Sequence, residues 1–512
     1  MTANFLRTLP QNARSLAEES LTWTDQYWDP ANALLALDSE DLAGPVHHSV
    51  RNSSWYALGL LMRSEDGKDD GDFERAVRTF HAVLDYQFDE PGTPYHGTWY
   101  RSPQEDHPPA DAIVWRHYDP NWRQFIGTTL MLALEEFGDR LPADLIARMG
   151  RAIDLAIEGE PPDRCAPHYT NIALMKAALM TWAGKRYDRP DWFAEGERFG
   201  QAAYDVFAAH GTFHEYNSPT YYGVNFYALA LWRHYATSDQ LAAQGTEMEA
   251  ALWRDVAAFY HAGLGNVAGP YSRTYGMDMR KYGALLGMSV WLAVGRELAP
   301  FPREDGMFAH GHDFTFGPPL ALVGTEVPAD ALQHLRSFQG ERTIERRLPT
   351  EHDRVATAWI GDSVLLGAES LRLKSDIPGV LPNLDSPQYH PVTVHWALPD
   401  GDVGWIRLRN RGPVEARAEE GQITIVCPWL AAAEERYGDH HRTYVFEIAL
   451  DTSHTFSCHA DHWDLPGLVI RVNSNLPSPH TTIDEGIVYI TYTLPPDQTE
   501  ARFELSAVPR NT

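Results

Sequence analysis

The spacing of apolar residues changes period near residue 320, and nothing else in the chain constrains its fold as strongly. Before that point, segments such as NWRQFIGTTLMLALEEFGDRL (121–141), NIALMKAALMTWAGKRY (171–187) and YGALLGMSVWLAVGREL (282–298) place apolar residues at helical spacing. Further helices fit around residues 12–24, 47–63 and 72–87, giving about ten of 12–20 residues. Loops rich in Pro, Gly, Asp and Tyr join them, and no strict repeat period is present, so helical hairpins closing into a toroid are expected rather than a regular solenoid. After residue 320, RVATAWIGDSVLLGAESL, HPVTVHWAL, VGWIRLRN, TYVFEIAL and GIVYITYTL alternate or run apolar, with turn clusters such as LPDGD between them. Eight or more such strands predict an antiparallel β-sandwich. The expected architecture is therefore α+β and multidomain, with an (α/α) toroid over 1–320 and a sandwich over 321–512.

A length of 512 residues exceeds what one core usually serves. The formal net charge of −28 argues against nucleic acid, whose binders need a basic footprint, and against a polybasic membrane contact. An acidic substrate would need a local cation to meet it. Three cysteines (Cys165, Cys427, Cys458) with no CxxC spacing indicate neither a disulfide framework nor a thiolate zinc site. The opening MTANFLRTLPQNARSLAEES has no signal-peptide core, which gives the expectation of a cytoplasmic protein unless a leader was removed. No cofactor is expected. HGHD (310–313) and GDHH (438–441) carry metal-ligand side chains, and further histidines stand at 352, 390, 395, 454, 459 and 462, so a metal is left open.

Polar and aromatic residues concentrate in four loops at helix ends, where function tends to be held by a rigid scaffold. Residues 95–127 offer Trp115 and Trp122 as stacking surfaces and Arg123 as a fixed cation. Asn171 opens an apolar helix, with His168 three residues before it. GTFHEYNSPTYYGVNFYALALW (211–232) crowds His214, Glu215, Asn217, Tyr221 and Tyr222 before a third helix. Ser218 as cap and Pro219 as first helical residue are ordinary helix-start grammar. The tyrosines are not explained by it. Their expected place in the first turn, beside the positive end of the helix dipole, would lower a phenol pKa and suit an anion. GPYSRTYGMDMRKYG (269–283) adds Tyr271, Arg273 and Tyr275, with Arg273 the preferred cation for an acidic substrate.

Glu215-Tyr216-Asn217-Ser218-Pro219-Thr220-Tyr221-Tyr222 resembles the Glu-x-x-Ser-Pro-x-Tyr-His pattern of heparinase II/III-like and alginate-lyase-like polysaccharide lyases. Asn171 looks like the family's helix-opening asparagine. This chain carries Tyr222 where the pattern has His. The resemblance implies an (α/α) toroid followed by β-sandwich, an acidic oligo- or polysaccharide substrate, and cleavage of a uronic-acid glycan by β-elimination.

That reaction removes the proton α to a carboxylate, so the enzyme must neutralise the acid group, supply a base and protonate the departing C4 oxygen. Asn171, with Arg273 or Asn217, suits the first task. Tyr221 suits base and acid, with His168 or His214 as the other candidate bases. Free tyrosine titrates near 10, so only about 0.1% is anionic at pH 7. An alternative is a glycoside hydrolase using Glu215 with Asp119 or Asp111, which needs paired carboxylates roughly 6.5–9.5 Å apart if inverting.

Overall fold

The computed structural model describes residues 4–37, 47–65, 71–348, 354–371, 387–410, 412–450 and 455–510, so His352 and His454 lie outside the described residues. Two compact units interleave in sequence: residues 1–206, 223–250 and 281–326 form one, and 207–222, 251–280 and 327–512 the other.

Two kinds of helix alternate along the first part of the chain: α1 (Gln11–Asp25) and α2 (Val50–Arg63), α3 (Gly71–Asp85) and α4 (Trp122–Phe137), α5 (Ala143–Glu158) and α6 (Thr170–Arg186), α7 (Pro190–Ala208) and α8 (Tyr222–Tyr235), α9 (Asp239–Phe259) and α10 (Leu285–Val294). In α2, α4 and α6 nearly every residue is buried, whereas α1, α3 and α5 bury one stripe. A helix apolar all round must be enclosed by others, and an amphipathic one lies outside with a wet face. The alternation therefore builds an inner and an outer layer. Trp232 of α8 donates to the carbonyl of Leu174 on α6 at 2.7 Å, and Tyr227 to Thr128 of α4 at 3.1 Å.

The helical layer closes on itself within its unit. Asn12 of α1 donates to the carbonyl of Leu292 (3.1 Å), Trp291 donates to Ser15 (2.9 Å), and Ser20 donates to the carbonyl of Phe314 (2.7 Å). Close approach also fixes one glycine. A Cβ at Gly223 would meet the backbone of Leu285 at 2.4 Å, so only Gly fits where α8 passes the start of α10.

Among the described residues the other unit is dominated by one antiparallel sheet of 14 strands. Read across the sheet, the order is Ser457–Cys458, His462–Leu465, Leu468–Ser474, Glu500–Pro509, Gln422–Pro428, Glu415–Glu419, Val364–Ser370, Val392–Ala397, Val403–Arg409, Thr443–Ala449, Ile487–Thr493 and His480–Asp484. Val355–Ile360, paired with Arg342–Arg347, also joins Val364–Ser370. Phe446 and Phe503 stand six strands apart in this order, yet their rings are 5.3 Å apart. The sheet thus folds over so that its inner face packs on itself, as a nearly closed sandwich. Residues from opposite ends share one core, including Trp396, Phe446, Trp463, Ile490 and Phe503. Alternating burial along Glu500–Pro509 gives it one inner and one outer face.

No helix among the described residues is long and apolar enough to cross a membrane.

Candidate functional site

Two loops of the sheet-bearing unit, 211–222 and 269–280, are stitched together side chain to backbone. Asn217 adopts φ +42°, a left-handed conformation that Asn tolerates better than most residues. Its amide donates to the carbonyls of Ala268 (2.7 Å) and Pro270 (2.8 Å). Ser218 donates to the carbonyl of Arg273, and Ser272 to that of Tyr216, both at 2.5 Å. The segment 388–390 completes the frame: Tyr271 and His390 exchange backbone hydrogen bonds at 3.0 Å, and the N–H of Thr274 donates to Gln388 at 2.9 Å.

This frame holds Arg273 at the centre of a polar cluster. Its Nε donates to Gln388 Oε1 at 2.9 Å, Nη1 to Glu215 Oε1 at 2.7 Å, and Nη2 to the Tyr221 hydroxyl at 2.6 Å. The Tyr221 hydroxyl also lies 2.6 Å from that of Tyr275. Among the described residues those bonds use three of the five N–H groups of a guanidinium, leaving two for a ligand. The Arg273 side chain is 33% exposed while Glu215 is 9% exposed, so the cation and not the acid faces outward.

Burial works against the charge on Arg273, but Tyr221, Glu215 and Tyr275 around it outweigh this and raise its pKa. Tyr221 departs from the sequence expectation. Burial first, then Tyr275, push its phenol well above the ordinary value, and Arg273 does not offset them. The helix dipole is also further away than expected, because α8 begins at Tyr222. Ser218 instead closes a turn, its Oγ accepting from the N–H of Tyr221 at 3.0 Å. Tyr221 is therefore a protonated phenol held in place.

The structure brings Glu215, Tyr221, Arg273 and Tyr275 together. Three other predicted residues of this unit serve the frame. Tyr222 is buried, and its hydroxyl accepts from the backbone N–H of Asn217. Tyr271 is buried and donates to the carbonyl of Val267 at 2.6 Å. Asn217 holds backbone carbonyls as described. His214, half-buried, precedes Glu215 in the first loop.

The remaining predicted residues belong to the helical unit. Asn171 is the second residue of α6 and buried; His168 is exposed in the preceding turn, its carbonyl accepting from Thr170 at 3.2 Å. Arg123 is fully buried and donates to the carbonyls of Pro94, His96 and Pro120, which locks the 94–120 loop; burial lowers its pKa to about 10. Trp122 is buried, with the Arg51 guanidinium 5.4 Å from its ring. Trp115 is 52% exposed and adopts φ +68°, an unfavourable backbone for an aromatic residue. Gln388 was not anticipated from the sequence. It precedes Tyr389 and His390, more than 100 residues from Arg273, and nothing local in the sequence marks it as a partner.

Comparison with known proteins gives little beyond this. Solved structures similar to the chain include the Streptomyces coelicolor A3 chondroitin AC lyase in complex with chondroitin sulphate, at 12% identity and TM-score 0.46, covering 97% of this chain and 79% of that one. A heparinase III, the BT4657 gene product, matches at 10% identity and TM-score 0.32, covering 99% and 86%. No curated protein matches the sequence. Residues 341–492 match the family model described as domain of unknown function DUF8770, and residues 14–325, more than half of the chain, match DUF8769. The chain belongs to the DUF8769 family, a domain of unknown function.

Proposed function

We propose that this protein is a lyase that cleaves a uronic-acid-containing glycan by β-elimination. The observation that carries the reading is the Tyr221 hydroxyl, held at 2.6 Å by both the Arg273 guanidinium and the Tyr275 hydroxyl. A neutral phenol so fixed is suited to protonate a leaving oxygen, because the tyrosinate formed would be stabilised at once by Arg273. The balance of the step is simple. A base takes the C5 proton, the C5–H electrons form the C4–C5 double bond, the C4–O bond breaks, and Tyr221 gives its proton to the departing oxygen.

The raised pKa of Tyr221 favours this acid role over the base role, and we assign the base to His214, seven residues before it in the same loop. The two N–H groups of Arg273 that no described residue takes supply cationic hydrogen bonds to the substrate carboxylate. The hydrolase alternative would make Glu215 a proton donor, but its carboxylate is engaged by Arg273, which favours the ionised form.

The test is a screen of uronate glycans for growth of near-ultraviolet absorbance, which an unsaturated product gives and hydrolysis does not. A tyrosinate base predicts kcat/KM rising only near pH 10 or above, so a rate already at its plateau at neutral pH supports the histidine base. New reducing ends without absorbance would refute elimination.

A further inference from the structure

The HGHD stretch lies in the helical unit and takes no part in the site described above. His310, His312 and Asp313 each offer one ligand atom, and these three atoms all lie within 4.8 Å of one another. His312 and Asp313 are buried and His310 half-buried. His312 Nε2 stands 3.6 Å from Asp313 Oδ1. Two ligands bound at about 2.0–2.2 Å to a tetrahedral zinc are themselves roughly 3.3–3.5 Å apart, so this pair is already near its coordinating separation. The imidazole rings of His310 and His312 are 5.6 Å apart, and a modest swing of the less buried His310 ring closes the third position.

Two further features mark the stretch as built. His310 sits at φ +52°, a left-handed conformation costing on the order of 1–3 kcal/mol that persists where surroundings enforce it. The backbone beyond it is pinned: Asn52 of α2 donates to the carbonyl of His312 at 2.7 Å and to Thr315 at 2.8 Å, and the N–H of Asp313 donates to the carbonyl of His310 at 3.1 Å. Arg51 Nη2 approaches Asp313 Oδ1 at 4.0 Å while its guanidinium lies over the rings of Trp55, Trp122 and Phe125. This cation opposes a second positive charge, but it also orients the carboxylate, as outer partners of ligating carboxylates do. GDHH offers a contrast: His441 is buried and its Nε2 accepts from the backbone N–H of Leu430 at 3.0 Å, so that ring caps a backbone group.

We infer that His310, His312 and Asp313 form a binding site for a divalent transition-metal ion of the zinc class. Two imidazoles and one carboxylate match the preferences of zinc, cobalt and nickel better than those of magnesium or calcium. Three protein ligands leave a coordination position open.

The experiment titrates Co²⁺ into the chelator-dialysed full chain and follows the visible d–d absorption. The expected result is a band that saturates at one equivalent and is displaced by Zn²⁺. His312→Ala and Asp313→Asn should each weaken Co²⁺ by more than about a hundredfold, since even outer-partner substitutions cost 10–100-fold at such sites. Circular dichroism checks that both variants fold. Should either fail to do so, His310→Ala, at the half-buried ligand, should give the same loss. No saturable band in the parent protein, an unchanged affinity in the folded variants, or loss of the band in His462→Ala instead would overturn the proposal.

Discussion

Of the arginine–carboxylate pairs in the sheet-bearing unit, Arg273–Glu215 and Arg354–Glu369 differ most usefully in what surrounds them. Arg273 and Glu215 pair at 2.7 Å with the cation 33% exposed and two tyrosine hydroxyls beside it. Arg354 and Glu369 also pair, but their side chains are 11% and 0% exposed, with the Tyr216 and Tyr389 rings 5.5 and 5.9 Å from the guanidinium. Burial raises the Glu369 carboxyl well above its ordinary value and lowers that of Arg354, and the Tyr389 hydroxyl between them opposes both shifts. The sealed pair is joined to the open one along the chain: Tyr216 follows Glu215, and Tyr389 follows Gln388. One pair keeps N–H groups for a ligand, while the other anchors the segments that hold the first. The same residue types serve reactivity or rigidity according to whether the cation reaches water.

If that contrast is right, substitutions in the two pairs should separate cleanly. Tyr221→Phe should lower kcat/KM by about 10²–10⁴, the usual contribution of a positioned acid or base, with the unfolding midpoint nearly unchanged. Arg354→Met should do the reverse, destabilising the fold by about 3–5 kcal/mol in urea unfolding, because it strands Glu369 in the interior. Equal loss of stability in both variants would erase the distinction.

The sealed region should also respond to acid through stability. Burial holds His390 far below the ordinary histidine range and His395 at about 4. Both are fully buried near Tyr271, with Arg407 facing His390 and Asp278 acting on His395. A depressed folded-state pKa means that the unfolded chain binds the proton better. Stability is therefore fully present above about pH 6.5 and falls as pH drops toward 4, by roughly 3 kcal/mol for His395 alone at about 1.36 kcal/mol per unit. Urea unfolding at pH 7 and at pH 4.5 measures it. Smallest of all, Trp115→Ala should change stability by no more than about 0.5 kcal/mol, as for other exposed positions, and raise KM if the ring stacks on a sugar.

The helical and strand regions were legible because apolar period is a local signal: helices expected around 12–24, 47–63 and 72–87 are Gln11–Asp25, Val50–Arg63 and Gly71–Asp85. Strands without that signal escaped it. Arg342–Arg347 is mostly charged and His480–Asp484 is exposed throughout, so neither shows an apolar face. At the site, residue types were readable but partners were not. Nothing in the sequence reveals that Asn217 holds the carbonyls of Ala268 and Pro270, or that Gln388 reaches Arg273. The sequence points the wrong way on the Tyr221 shift for a related reason. A helix dipole can be inferred from Ser218-Pro219, but burial beside Tyr275 depends on a loop more than 50 residues away.

The central claim is that the Tyr221 phenol gives its proton to the leaving oxygen of a uronate glycan. On a glycan that the parent protein degrades, near-ultraviolet absorbance should be followed for the parent and for Tyr221→Phe under identical conditions. The account predicts steady growth with the parent and a rate at least about a hundredfold lower with the variant, both proteins melting at the same temperature. A folded variant that produces the unsaturated chromophore at the parent's rate would contradict it.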